Sequence, residues 1–122
     1  MKKLLKIVLV SSITLLFSSC YYDEFPEDIP VEIPPGTEVS FSEDITPIFV
    51  TYNCVGCHNT SSGQNPDLTP GSEYSNLVPA YVTAGNSADS RLYTKLAGGH
   101  RDVDATSLAL IELWINDGAA NN

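Results

Sequence analysis

The sequence contains few basic residues. Six lysine and arginine residues stand against 15 aspartate and glutamate residues in 122 positions, and three of those six are lysines within the first six residues. The formal net charge of the whole chain is −9, and without these three lysines it is −12. Such a charge excludes nucleic acid as a partner and argues against electrostatic binding to anionic lipid. It favours a protein partner with a basic face, or serves only to keep the protein in solution.

A long apolar run is also absent. Residues 7–17 are mostly apolar, but a membrane-spanning helix needs about 20 such residues. The preceding lysines and the following small residues predict a signal peptide over residues 1–19. The ending Phe17-Ser18-Ser19-Cys20 resembles a bacterial lipobox, which implies that Cys20 becomes the lipidated first residue of the mature chain. The alternative is an ordinary signal peptide that leaves Cys20 as a free thiol.

Only three cysteines are present, and the other two belong to the run Cys54-Val55-Gly56-Cys57-His58. With Cys20 assigned to the lipid, no cysteines remain for a structural disulfide. A Cys-x-x-Cys-His run is the attachment pattern of a c-type haem. The two thiols add to the two vinyl groups of the haem, and the adjacent imidazole of His58 becomes the proximal ligand of the iron.

Two other interpretations of this run stay open. Cys54, Cys57, His58 and His100 are a conceivable zinc ligand set, although adjacent Cys and His residues fit one tetrahedral ion poorly. The two cysteines also match a redox-active dithiol. Export favours haem, because covalent haem attachment is typical of exported proteins, whereas zinc fingers of this kind belong to the cytosol.

Residues 20–38 differ in composition from residues 39–122. They contain four prolines and six acidic residues, so they predict an acidic, extended tether after the lipidated cysteine. Asp23 and Glu24 resemble the signal that sends some bacterial lipoproteins to the cell surface. The expected location is the cell envelope, with the lipid in the outer membrane and the protein facing the periplasm or the cell surface. Residues 39–122 then form the single folded domain.

The domain shows helical signals and no alternating strand pattern of useful length. Ser40 and Glu43 fit a capping box, and Thr46-Pro47 fits a helix start. The predicted helices cover about residues 47–54 after a turn from Ser42, about 70–77, from a cap at Asn86, Ser87 or Asp89 to about 97, and about 105–117 after a cap at Asp104. The expected fold class is therefore all-α, with about four helices.

With these motifs the chain resembles the class I-like cytochrome c domains of exported bacterial proteins. The resemblance covers roughly residues 41–119 and depends on four stretches: Ile45-Thr46-Pro47-Ile48-Phe49, Cys54 to His58, residues 86–96 with Ser90, Leu92 and Tyr93, and Trp114-Ile115-Asn116-Asp117-Gly118-Ala119. It implies about four helices around one covalently bound haem c. The first and last helices would cross beside that haem, where Phe49 or Tyr52 would meet Trp114.

The resemblance also implies the surroundings of the iron. Such domains usually offer a proline carbonyl to the N–H of the proximal imidazole, and Pro66 is the matching position. They normally supply a methionine as the distal ligand, but the only methionine is Met1. His100 lies in the corresponding loop and is the predicted distal iron ligand. The alternative is that His100 is only an exposed loop residue. The distal position of the iron would then be taken by Lys95, Tyr93 or water, or would stay open.

The expected function follows from these ligands. A histidine in place of methionine lowers the reduction potential, and two protein ligands leave no position for a substrate. The sequence therefore predicts a membrane-tethered electron carrier that exchanges single electrons with redox proteins and catalyses no reaction of its own. One alternative is a haem enzyme or gas- or peroxide-binding domain with an open distal site, in which Arg101 lies beside His100. Another is a structural or sensory haem lipoprotein.

Overall fold

The computed structural model describes residues 32–122. The predicted signal peptide, the lipidation of Cys20 and most of the tether lie outside these residues. Of the tether, residues 32–38 contain one turn, in which the Thr37 amide donates to the Pro34 carbonyl at 3.2 Å. Within the described region no helix is long and apolar enough to cross a membrane.

The described chain is helical, as predicted, and contains no strand. Its regular elements are a π-helical turn Phe41–Ile45, α1 Thr46–Thr51, a 3₁₀ turn Cys54–Gly56, α2 Glu73–Leu77, α3 Arg91–Ala97 and α4 Ala105–Asn116. One isolated bridge joins Thr83 and Asn86 in the loop before α3. The coarse prediction of four helices is therefore confirmed for residues 32–122.

The first helical segment begins earlier than predicted, at Phe41 rather than near residue 47. The Ser40 hydroxyl accepts from the Glu43 amide at 3.2 Å, as the capping box requires, but the Ser40 amide donates to Asp44 instead of Glu43, at 2.8 Å. A π-helical turn then leads into α1. Proline normally breaks a helix because it lacks an N–H. Here Pro47 stands in the first turn of α1, where no donor is required.

This first segment packs on α4 through aromatic rings. The Phe41 and Trp114 ring centroids lie 5.2 Å apart, and Tyr74 meets Phe41 edge-on at 5.2 Å. The indole N–H of Trp114 donates to the Ala120 carbonyl at 2.9 Å. The ring that meets Trp114 is that of Phe41, and not that of Phe49 or Tyr52 as predicted. The first helical segment begins at Phe41, before Ile45, and the buried Phe41 side chain is the one that packs on α4.

The starts of α2 and α3 also differ from the predictions, because local hydrogen bonds set them. Helix α2 begins at Glu73, since Thr69 and Ser72 form a turn that keeps Pro70 outside the helix. The residue before α3 is Ser90, not Asn86, Ser87 or Asp89, and its buried hydroxyl donates to the Asn86 carbonyl at 2.8 Å. The cap at Asp104 is confirmed.

Asp104 also joins two segments. Its carboxylate accepts from the Ser107 amide at 3.0 Å, and the Tyr52 hydroxyl at the end of α1 donates to the same carboxylate. The Asp104 amide in turn donates to the Tyr52 oxygen at 3.1 Å. The hydrogen bonds that the carboxylate accepts hold the pKa of Asp104 well below its ordinary value, and the bond from Tyr52 contributes most.

Asp104→Ala should therefore lower the free energy of unfolding by about 1–2 kcal/mol at pH 7, because a helix cap is lost. A carboxylate whose folded-state pKa is depressed stabilises the protein above the unfolded-state pKa of about 3.9 and ceases to do so as the pH falls below it. The difference from wild type should accordingly shrink below about pH 4. Urea unfolding at several pH values measures this, with Asp102→Ala as the exposed control in the same loop; equal losses in both variants would contradict the assignment.

Candidate functional site

The Cys-x-x-Cys-His segment follows α1 directly. Asn53 takes the left-handed conformation with φ of 50°, which ends the helix and turns the chain into the 3₁₀ turn Cys54–Gly56. The Cys54 carbonyl then accepts from the amides of Cys57, at 3.1 Å, and His58, at 2.9 Å. A Cβ at Gly56 would lie 2.8 Å from the Nδ2 atom of the Asn53 side chain, so a larger residue there requires that side chain to move.

Cys54 and Cys57 do not form a disulfide with one another. Cys54 is half-buried and Cys57 is exposed. Burial raises the pKa of Cys54, and the positive charge of Arg101 opposes this effect. Arg101 reaches the pair from the loop before α4, with its Nη2 atom 4.0 Å from the Cys57 sulfur. The sequence does not reveal this contact, because 44 positions separate the two residues.

The ring of His58 is held by the loop that comes after it. Its Nδ1 atom lies 3.0 Å from the Pro66 carbonyl oxygen, in hydrogen-bond range. The His58 carbonyl accepts from the Leu68 amide at 2.9 Å, which closes the loop. When Nδ1 donates to a carbonyl, Nε2 is left as the atom able to bind a metal. The expected contact between His58 and Pro66 is thus present, while a role behind a haem ligand stays a prediction.

A cavity of about 480 Å³ lies beside this segment, within the size range of pockets that bind small molecules and cofactors. Cys54, Cys57, His58 and His100 all line it. Its apolar wall comes from α1, α2, α3 and two loops, through the side chains Ile48, Phe49, Leu68, Leu77, Leu92, Leu96 and Val103. The cavity therefore joins an apolar wall to two thiols and two imidazoles.

His100 reaches the cavity from the loop between α3 and α4. Its ring centroid lies 6.1 Å from that of His58, and the two ring planes meet at 73°. The residue is exposed, as the simplest alternative expected, yet its side chain lines the pocket. Its backbone is attached to α3, since the His100 amide donates to the Lys95 carbonyl at 3.1 Å.

The other residues considered as distal ligands separate into two groups. Lys95 lines the same cavity as His100. The Tyr93 side chain instead donates to Glu112 on α4 at 3.1 Å, and burial together with that carboxylate raises the pKa of Tyr93. The cavity lining does not include Tyr93.

Several cavity residues escaped sequence reasoning. Gln64 and Asn65 come from the loop after His58, and Tyr81 and Arg91 border the opposite wall. No motif marks the first three of them. Arg91 alone had a signal, because it is one of the three cationic residues that remain after the first six positions.

The arrangement brings two thiols able to form thioethers and two imidazoles able to bind a metal to the rim of one apolar cavity. In residues 32–122, no three His, Cys, Asp or Glu side chains converge on a common metal-ion position, so the four residues of the zinc alternative do not assemble such a site. No known family model, curated protein or solved structure matches the chain.

Proposed function

We propose that this protein is a c-type cytochrome that carries single electrons. Cys54 and Cys57 would hold one haem c covalently, with His58 and His100 as its two iron ligands. The main support is the position of the two imidazole rings, which come from segments about 40 residues apart and face one another beside the thiols. Bound haem supplies an iron that alternates between the ferrous and ferric states.

The distance between the rings supports two ligands on one metal. A metal–nitrogen bond of about 2.0 Å on each side places the centroids of two opposite imidazoles roughly 6 Å apart. The observed centroid separation is 6.1 Å. This agreement supports His58 and His100 as ligands of one metal.

The protein's own residues would tune and protect the metal. The Pro66 carbonyl orients His58 and makes its imidazole more electron-rich. The leucine and isoleucine side chains of the cavity wall exclude water from one face of the bound group. A second histidine ligand in place of methionine favours a low reduction potential. With both axial positions taken, electron transfer rather than substrate chemistry is the function that fits best.

The acidic surface supports weak docking to redox proteins that carry a basic face, since electron-transfer complexes are small and short-lived. The lipid anchor proposed at Cys20 would keep the protein at a membrane of the cell envelope. Its electron donors and acceptors would then be other proteins of the envelope. This part of the proposal depends on the sequence of residues 1–38 and on charge, because the described structure begins at residue 32.

Mass spectrometry of the exported protein should detect one tetrapyrrole joined through two thioethers at Cys54 and Cys57. Cys54→Ala and Cys57→Ala should each remove one thioether and lower the haem content measured as pyridine haemochrome. Cys20→Ser is the matched control, because it removes a thiol but should leave the haem in place. Two free thiols in the exported wild-type protein, with or without zinc, would refute the proposal.

His100→Ala should open the distal position. The reduced wild-type protein should show a low-spin spectrum and bind carbon monoxide slowly, whereas the variant should become high-spin and bind it readily. Asp102→Ala, in the same exposed loop, should behave as wild type. A low-spin spectrum that survives His100→Ala would assign the distal position to another group such as Lys95, and a high-spin wild-type protein that reduces peroxide would favour an enzyme.

Tyr52→Phe tests what positions the His100 loop. The Tyr52 hydroxyl connects the end of α1 to Asp104, at the end of that loop, and its loss should cost about 1 kcal/mol. Carbon monoxide binding to the reduced protein should therefore accelerate roughly fivefold. Tyr93→Phe removes a comparable bond from tyrosine to a carboxylate, that to Glu112, and should not change the rate. Equal rates in the two variants would show that the Tyr52 contact does not control the loop.

A further inference from the structure

The cationic residues of the described region all lie around one cavity. Arg91, Lys95 and Arg101 are the only lysine and arginine residues in residues 32–122, and each of them lines the pocket beside His58. No aspartate or glutamate of that region does so, although it contains many. The cavity is therefore a positively charged position in a strongly acidic protein.

Within residues 32–122, no carboxylate accepts a hydrogen bond from Arg91, Lys95 or Arg101. The five carboxylates that form hydrogen bonds receive them from neutral donors, namely backbone, hydroxyl and amide groups: Asp44, Asp67, Asp89, Asp104 and Glu112. Like charges brought to one pocket repel one another unless an anion is bound there. Such a cluster is suited to an anionic ligand.

The three cations divide into two positions. Arg101 lies at the thiol edge, with its Nη2 atom 4.0 Å from the Cys57 sulfur. Arg91 and Lys95 are four residues apart on α3, so they project from the same side of that helix. The Arg91 guanidinium is 5.4 Å from the Tyr81 ring centroid, a cation–π contact that limits its orientations.

Haem brings two carboxylates of its own. The vinyl groups that react with cysteine and the two propionates stand on opposite halves of the porphyrin. A haem joined at Cys54 and Cys57 would therefore have its vinyl side near Arg101 and its propionates farther from that residue. Carboxylates at the edge of a pocket need cationic or hydrogen-bonding partners, and a guanidinium can bind one through two parallel bonds.

We propose that Arg91 and Lys95 bind the two propionate carboxylates, with Arg91 as the bidentate partner. This inference depends on the proposed haem site. It assigns to α3 the binding of the acidic groups of the haem, while Cys54 and Cys57 would hold its vinyl side. Arg101 then supplies charge near the thioethers and does not contact the propionates.

The test uses the full-length holoprotein and its variants Arg91→Gln, Lys95→Gln and Arg101→Gln. Each variant removes one positive charge from the same cavity, so Arg101→Gln is the matched control. Resonance Raman spectroscopy of the haem records the bending mode of the propionates, which shifts with the hydrogen bonds that they accept. Pyridine haemochrome gives the haem content of each sample.

Arg91→Gln and Lys95→Gln should each shift the propionate mode, and Arg101→Gln should leave it in place. Arg91→Lys should restore the mode only in part, because an ammonium cannot form the two parallel bonds of a guanidinium. Covalent haem with an unshifted mode in Arg91→Gln and Lys95→Gln, or an equal shift in Arg101→Gln, would overturn the inference and leave the proposed function standing. A wild-type protein without haem would overturn both.

Discussion

The candidate site depends on the antiparallel alignment of the first and last helical segments. Phe41, at the start of the first segment, packs on Trp114 near the end of α4, while Tyr52, at its end, bonds to Asp104 at the start of α4. Contacts at both ends set the two segments side by side. The loop after Tyr52 and the loop before Asp104 must then lie together, and these loops contain His58 and His100.

The distribution of charge gives this small domain two distinct surfaces. No carboxylate of residues 32–122 lines the cavity, whereas Arg91, Lys95 and Arg101 all do. In the proposed function, the negative exterior meets redox partners and the positive cavity accommodates the acidic edge of the haem. The same separation lets one strongly acidic chain bind an anionic cofactor without mutual repulsion, because charges a few ångströms apart dominate over distant, screened ones.

Sequence reasoning succeeded where the determinants were local. The cap at Asp104, the course of α4 and the helical class depend on neighbouring residues. The 3.0 Å contact of His58 with Pro66 was instead expected from the family resemblance. Sequence reasoning failed at Phe41 and Ser90. The capping box at Ser40 marks the start of the first segment, but a π-helical turn follows where a separate short turn was expected. Ser90 precedes α3 without capping it through its side chain, because its buried hydroxyl bonds to the preceding loop. Local propensity is a weak guide where packing decides.

The sequence by itself determined the chemical elements of the site: the two thiols with their adjacent imidazole, one further histidine, and three cations in an acidic chain. Their types and spacing are covalent facts that folding cannot alter. Only the tertiary structure decided that His100 faces His58 at 6.1 Å and that Arg91, Lys95 and Arg101 share one cavity. His58 and His100 are 42 positions apart in the chain, and they meet because Phe41 packs on Trp114 and Tyr52 bonds to Asp104.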